Sequence, residues 1–226
     1  MRQRWEALTF VHWSYEASVV QRLLPEGLMV EPYDDRAWVG LIPFHMRVGL
    51  RRSAGWPWLG RFCETNVRTY VRDAAGRSGI WFFSLDASRL AAVLAARAGY
   101  ALPYFWSAMS LTRSGRSVDY ACERRWPAPR AVHSRVSIDI GEPYSATDLT
   151  DRDHFLTARW TLFSDGIWGL RYADAEHRPW PLWRAELREL RDGLVEAAGL
   201  PAPTGAPLVH FSEGVDVRIG WPHLDR

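Results

Sequence analysis

Lysine is missing from this chain: all 28 basic residues among its 226 positions are arginine. A guanidinium stays protonated and cannot form an imine, so chemistry through a side-chain amine is excluded, and the N-terminal amine is the only alternative. Cysteine is scarce. Cys63 and Cys122 make neither a disulfide framework nor a metal-ligand spacing, and reduced thiols in a cytoplasmic protein are expected. Long apolar runs are absent as well. Nothing approaches the roughly 18 consecutive apolar residues of a membrane span, and the opening "MRQRWEALTF" lacks the apolar stretch of a signal peptide. A soluble protein without a membrane partner is the expectation. The net charge of +2, with arginines scattered rather than striped, gives no footprint for nucleic acid. The seven histidines show no metal spacing, and there is no GxSxG elbow, P-loop or GxGxxG after a strand, so neither metal nor cofactor is expected.

What the chain has in abundance is tryptophan, 13 of them. A large ring with one N–H suits cavity walls and interfaces, although filling a wide β core is the plainer role. Strand-like segments dominate. "WEALTFVHW" precedes a short helix near Glu16 to Leu24. "GLMVEPY" and "RAWVGLIPFHMRVGL" flank Asp34-Asp35 as a hairpin. "RFCETNVRTYVRD" and "GIWFFSL" flank a Gly-containing loop, and "YFWSAMSLTR" and "RSVDYACERR" flank Ser114-Gly115. "HSRVSIDIG", "GIWGLRYAD" and "PLWRAELREL" add further strands. In "ASRLAAVLAARAG", Leu90, Val93, Leu94 and Arg97 recur at helical spacing, with Asp86 or Ser88 as cap and Gly99 as the stop. Thr150 and Asp153 have capping-box spacing. One α+β domain over residues 1–226, predominantly antiparallel β with few helices, is the expected architecture.

The segment "CETNVRTYVR" alternates, with Glu64, Asn66, Arg68, Tyr70 and Arg72 on one face. Such a face normally meets water. Its hairpin partner argues otherwise, because "GIWFFSL" is apolar on both faces and needs cover on both. Part of the polar row is therefore expected to line a cavity, where a carboxylate, an amide and a guanidinium must satisfy one another or a ligand. Arg97 extends the apolar stripe of its helix and needs a carboxylate or a snorkelling path, and Glu64 is a candidate partner.

These residues carry a resemblance. "FCETNVRTYV", "GIWFFSLDA", "AR" followed by "LPY", and "HRPWPL" resemble successive motifs of the YqjF-like family of uncharacterised bacterial proteins, in order from about Trp5 to Trp221. That family is similar to the acetoacetate decarboxylase-like superfamily, which implies a β-rich barrel or cone around a central cavity with a few peripheral helices. Acetoacetate decarboxylases carry Gly-Arg-Glu and, three residues on, Gly-x-Pro-Lys, whose lysine forms the imine. Here Arg97 and Pro103 hold the matching places, Ala96, Ala98 and Ala101 replace the two glycines and the glutamate, and Tyr104 falls where the lysine would be. Imine chemistry at that position is not available. A phenol can instead donate a hydrogen bond or a proton.

Three functions fit. The first is a small-molecule binder with a Trp-rich pocket, lined by Asn66, Arg68, Arg97, Trp81, Trp106 and His177, that takes a carboxylate or carbonyl compound. The second is a lysine-independent lyase or isomerase with Glu64 as acid or base, Tyr104 as proton donor and Arg68 as electrostatic stabiliser. The third is a protein-interaction module. His177 enters through its family motif, whereas His12 and His45 interrupt apolar strands and read as satisfied core residues. Ser84 and Asp86 read as strand end and helix cap.

Overall fold

The computed structural model describes residues 1–49, 60–145, 147–167 and 169–224. The chain opens with β1 (Arg2–Glu16), α1 (Ala17–Gln21), β2 (Leu28–Val30), β3 (Arg36–Gly49), β4 (Arg61–Asp73) and β5 (Ser78–Ala87). Then come α2 (Leu90–Tyr100), β6 (Tyr104–Ser114), β7 (Ser117–Trp126), β8 (His133–Pro143), α3 (Asp151–Thr157) and β9 (Thr161–Gly166). The last elements are β10 (Gly169–His177), β11 (Trp183–Asp192), α4 (Leu194–Ala197), β12 (Leu208–Ile219) and β13 (His223–Leu224). Among the described residues no helix is long and apolar enough to cross a membrane.

All the strands join one sheet, and the pairing of β4 with β5 closes nine of them into a mixed barrel: β5-β6-β7-β8-β11-β12-β1-β3-β4. A second closure runs from β5 through β9 and β10 to β12. Two strands hand over between these paths. The first half of β5 pairs in parallel with β9 and its end with β6. Similarly, β12 pairs near its start with β11 and near its end with β10.

The shared strands β1, β3, β4 and β12 are consequently covered on both faces along their middles, while Arg2, Arg47, Asp216 and Arg218 at one end stay exposed. On β3, Ile42, Phe44 and Met46 enter one core, while Val39 and Leu41 enter another. This is the period-2 alternation of a strand with no solvent face. Alternation fails where a residue is inserted. On β1 a register shift between Glu6 and Val11 surrounds Ala7, whose φ is 47°, so Trp5 before it and Leu8 and Phe10 after it reach the same core. Opposite the bulge, Gly214 is obligatory: its φ is 124°, and a Cβ there would lie 2.0 Å from the Trp5 carbonyl oxygen.

Three local expectations change. Asp34 and Asp35 do turn the chain, with φ of 50° and 57°, but β2 pairs with β4 rather than β3. Pro32, with no amide to donate, ends that ladder before the turn. "GIWGLRYAD" is divided, since β9 ends at Gly166 and β10 begins at Gly169 with φ of 97°; Trp168 lies outside the described residues. In α2 the N-cap is Arg89, without a side-chain cap, and the helix passes Gly99 to end at Ala101 in the left-handed region. Its inward face is also different. Val93 is buried and Ala92, Ala96 and Tyr100 pack on the core, whereas Leu90 and Leu94 stay exposed. The alanines let the helix lie close to the sheet.

The capping box of α3 forms as its spacing predicts, with Thr150 and Asp153 bonding each other's backbone amides. This cap holds Leu156 and Thr157 against the barrel. Thr150→Ala should cost about 1 kcal/mol, measured by urea unfolding; an unchanged midpoint would mean that packing alone holds α3.

Candidate functional site

A cavity of about 530 Å³ lies between the β1-β3-β4-β5 wall, β9, β10 and α2. Its polar groups come mainly from β4, where alternate residues point inward: Glu64, Asn66 and Arg68 all line it, at 2%, 5% and 5% exposure. These three face a cavity because β4 is a shared strand, with Val67 directed into the opposite core.

Tyr104, the first residue of β6, pairs in parallel with Leu85 of β5, and Leu85 pairs with Asn66 of β4. That register carries the Tyr104 ring over β4, where its hydroxyl donates to Glu64 Oε2 at 2.8 Å. Burial pushes the Glu64 carboxyl up to about 8, helped by the negative charge of Asp86 and opposed by hydrogen bonds from Tyr104 and Asn66. Glu64 is therefore mostly an uncharged acid at neutral pH, able to donate a proton as well as accept a hydrogen bond. Tyr104 is held well above its ordinary value, by burial first and then by Glu64.

Arg68 is different. Its Nη2 reaches the Leu156 carbonyl oxygen at 3.3 Å and the Tyr70 hydroxyl at 3.5 Å, and its guanidinium stands 5.6 Å from the Phe10 ring. Among the described residues no carboxylate lies within ion-pair distance of it, and its Nε is buried without a hydrogen-bond partner. Tyr70 is fixed in turn by His12 Nε2 at 2.6 Å and by donating to Leu156 at 2.6 Å. His12 is a core histidine, as expected, and is held neutral chiefly by burial, but it is only half satisfied: Nε2 meets Tyr70 while Nδ1 is buried without a hydrogen-bond partner.

His177 lines the cavity, its ring nitrogens near the Arg178 and Arg159 carbonyl oxygens at 2.7 and 3.2 Å. Arg97 does not line it. Its Nη1 donates to the Tyr104 carbonyl oxygen at 2.7 Å, so it holds the backbone of Tyr104 rather than pairing with Glu64. Trp81 packs with Leu28, Val71 and Phe163, in a cluster apart from the cavity. Trp106 supports the core from its edge, with the Arg125 guanidinium 5.6 Å from its ring. Among the described tryptophans, Trp5 and Trp180 line the cavity, stacked 6.0 Å apart. The walls are apolar rather than Trp-rich. Arg159 also lines the cavity and carries its own counterion, Glu31 Oε2 at 3.4 Å. Sequence reasoning missed Trp5 and Arg159, which sit in separate segments without a shared pattern, and took the stiff "PWPLW" segment for a packing wedge rather than a cavity lip, although its Trp180 lines the cavity. Among the described residues no group of His, Cys, Asp or Glu converges as a metal site.

Comparison with known proteins places this geometry. The profile of the DUF2071 family, described as an uncharacterised conserved protein, matches residues 2–216. The uncharacterised protein YqjF of Bacillus subtilis (strain 168) is 34% identical over 223 residues, covering 98% of this chain and 90% of that one. Among solved structures, acetoacetate decarboxylase from Legionella pneumophila superposes with a TM-score of 0.66 at 14% identity, covering 100% of this chain and 88% of that one. The enduracididine biosynthesis enzyme MppR complexed with pyruvate gives 0.65 at 15% identity, over 99% of this chain and 89% of that one. An acetoacetate decarboxylase-like enzyme from Sphingomonas wittichii RW1 gives 0.63 at 15%, over 99% and 92%. These likenesses establish the acetoacetate decarboxylase-like fold.

Proposed function

The chain belongs to the DUF2071 family of uncharacterised conserved proteins, and on that footing we propose that it binds a small organic carboxylate with Arg68 as the anchor. The observation that carries this reading is a guanidinium 5% exposed on a cavity wall without a carboxylate partner among the described residues. A buried charge left without a counter-ion is costly. An anionic ligand supplies that counter-ion, and the planar guanidinium matches the two oxygens of a carboxylate. Glu64, kept mostly as the acid, does not repel such a ligand. Apolar walls with a few convergent polar groups suit an organic body. MppR, of the same fold, was solved with pyruvate, itself a carboxylate.

The test is calorimetric titration with pyruvate, acetoacetate, benzoate and octanoate. Arg68→Gln should weaken every acid that binds by roughly 10-fold to 150-fold, the range for a hydrogen bond to a charged group. Equal affinity in parent and variant would remove Arg68 from the anchor's role.

A second reading, a lysine-independent lyase or isomerase, is favoured by the Glu64–Tyr104 pair, because a carboxyl near pH 8 exchanges protons readily at neutral pH. It requires turnover that Glu64→Gln abolishes while carboxylate binding persists.

A further inference from the structure

The polar groups of the cavity are strung out along one strand rather than gathered at a point. Glu64 and Arg68 both point inward from β4, and four residues of strand put their backbones about 13 Å apart. No ion pair joins them: Glu64 is engaged by Tyr104, and Arg68 by Leu156 and Tyr70. Beyond Glu64, away from Arg68, the wall turns apolar. Phe44 lies opposite Glu64, Met46 lies opposite Phe62, and Val48 follows where its amide meets the Gly60 carbonyl, all lining the cavity. From Gly60 to Arg68 the strand covers about 26 Å.

An extended chain advances about 3.6 Å per three bonds. A four-carbon acid held at Arg68 therefore stops well short of the Glu64–Tyr104 pair. Resting on the anion-anchor reading above, we infer that the ligand is a long-chain monocarboxylate bearing a hydroxyl or keto oxygen in mid-chain. Its carboxylate sits at Arg68, its oxygen at Glu64 and Tyr104, and its apolar tail at Phe62, Met46 and Val48. The separation of about 13 Å, less some convergence of the side chains, places that oxygen roughly eight to eleven bonds from the carboxylate. Asn66 lies between the two polar stations, and its Oδ1 is buried without a partner, an acceptor for a ligand hydroxyl.

Calorimetric titration with butanoate, octanoate, stearate, and hydroxystearates carrying the hydroxyl on the third or the tenth carbon separates the possibilities. Affinity should rise with chain length, by up to roughly fourfold for each methylene buried. The hydroxyl on the tenth carbon should add a further gain of about twofold to tenfold, the worth of one hydrogen bond, and the hydroxyl on the third carbon none. Val48→Trp, which shortens the apolar end, should cancel the gain for stearate, with a circular-dichroism spectrum and melting temperature matching the parent's to report an intact fold; a stearate gain that survives in this variant would overturn the seat of the tail. Arg68-dependent binding that is equally tight for butanoate and stearate would overturn this inference and leave the anion anchor standing. Equal gains from both hydroxyl positions would overturn the mid-chain station. Failure of acids of every length would overturn the inference and the anchor together.

Discussion

At pH 9 Glu64→Gln will be more stable than the parent protein, and at pH 4 the two will be alike. The reason is the difference between the folded carboxyl, at about 8, and its ordinary value of 4.5. Between those limits the folded state binds a proton that the unfolded state has released. Stability therefore falls as pH rises through that window. It is fully present below 4.5 and fully lost above 8. A gap of about 3.5 units at 1.36 kcal/mol each comes to about 5 kcal/mol, an order-of-magnitude figure for a side chain 2% exposed. Glutamine has nearly the shape of the protonated acid, keeps an oxygen to accept from Tyr104, and has no charge to bury. Guanidinium unfolding of both proteins at pH 4, 6, 7.5 and 9 reads out the difference. Parallel stability curves across that range would mean that the folded protein tolerates Glu64 as a carboxylate, and the acid form would have to be given up.

The inward placement of Glu64 that underlies this acid form was legible in the sequence, although the acid form itself was not. "CETNVRTYV" alternates beside "GIWFFSL", which is apolar on both faces, and a strand paired with a doubly covered neighbour shares its cover. The inward placement of Glu64, Asn66 and Arg68 follows from that local pattern. The rest of the site does not. Trp5 reaches the cavity only because the bulge at Ala7 changes which side of β1 faces it. A second register shift, where Phe83 is the extra residue between Phe82 and Ser84, does the same on β5 and puts Phe82 and Leu85 in one core. One inserted residue reverses the facing of everything beyond it and leaves no mark on composition. Trp81 and Trp106 read as wall residues because aromatic strands are natural walls, yet their neighbours across the sheet decide the matter. Arg97 illustrates the limit of helical spacing. It stands where an inward arginine was expected, but its guanidinium reaches the Tyr104 backbone and, 5.7 Å away, the Trp126 ring. The segment Ser84–Ala87 was misread most. Asp86 looks like a helix cap because it precedes α2, but it still belongs to β5, whose last residue is Ala87.

Asp86→Ala should accordingly cost far more than a lost cap, about 3–5 kcal/mol. Its carboxylate accepts from Arg124 Nε at 2.9 Å and Nη2 at 2.6 Å, and from the Ser107 hydroxyl at 2.6 Å. Both charged side chains are wholly buried, and the guanidinium lies 3.6 Å from the Phe105 ring centre. Asp86 is on β5, Ser107 and Phe105 on β6, and Arg124 on β7, so the pair ties three adjacent strands at one level of the barrel. Removing the carboxylate leaves Arg124 charged in a dry interior. At about 2–4 °C per kcal/mol for a chain of this size, the melting temperature should fall by roughly 6–20 °C. Replacing both partners by apolar residues, Asp86→Leu with Arg124→Met, should recover much of the loss, because no charge is then left unpaired. A double variant as unstable as Asp86→Ala would assign the cost to lost packing rather than to the stranded charge. The pair also reaches the cavity electrostatically, since the Asp86 charge helps hold Glu64 as an acid. In Asp86→Ala that contribution disappears and the unpaired Arg124 favours the carboxylate form, so the window in which stability declines with pH should narrow from its upper end. Proton uptake measured across folding at pH 7.5 would then be smaller in the variant than in the parent, a change that lost packing alone does not produce.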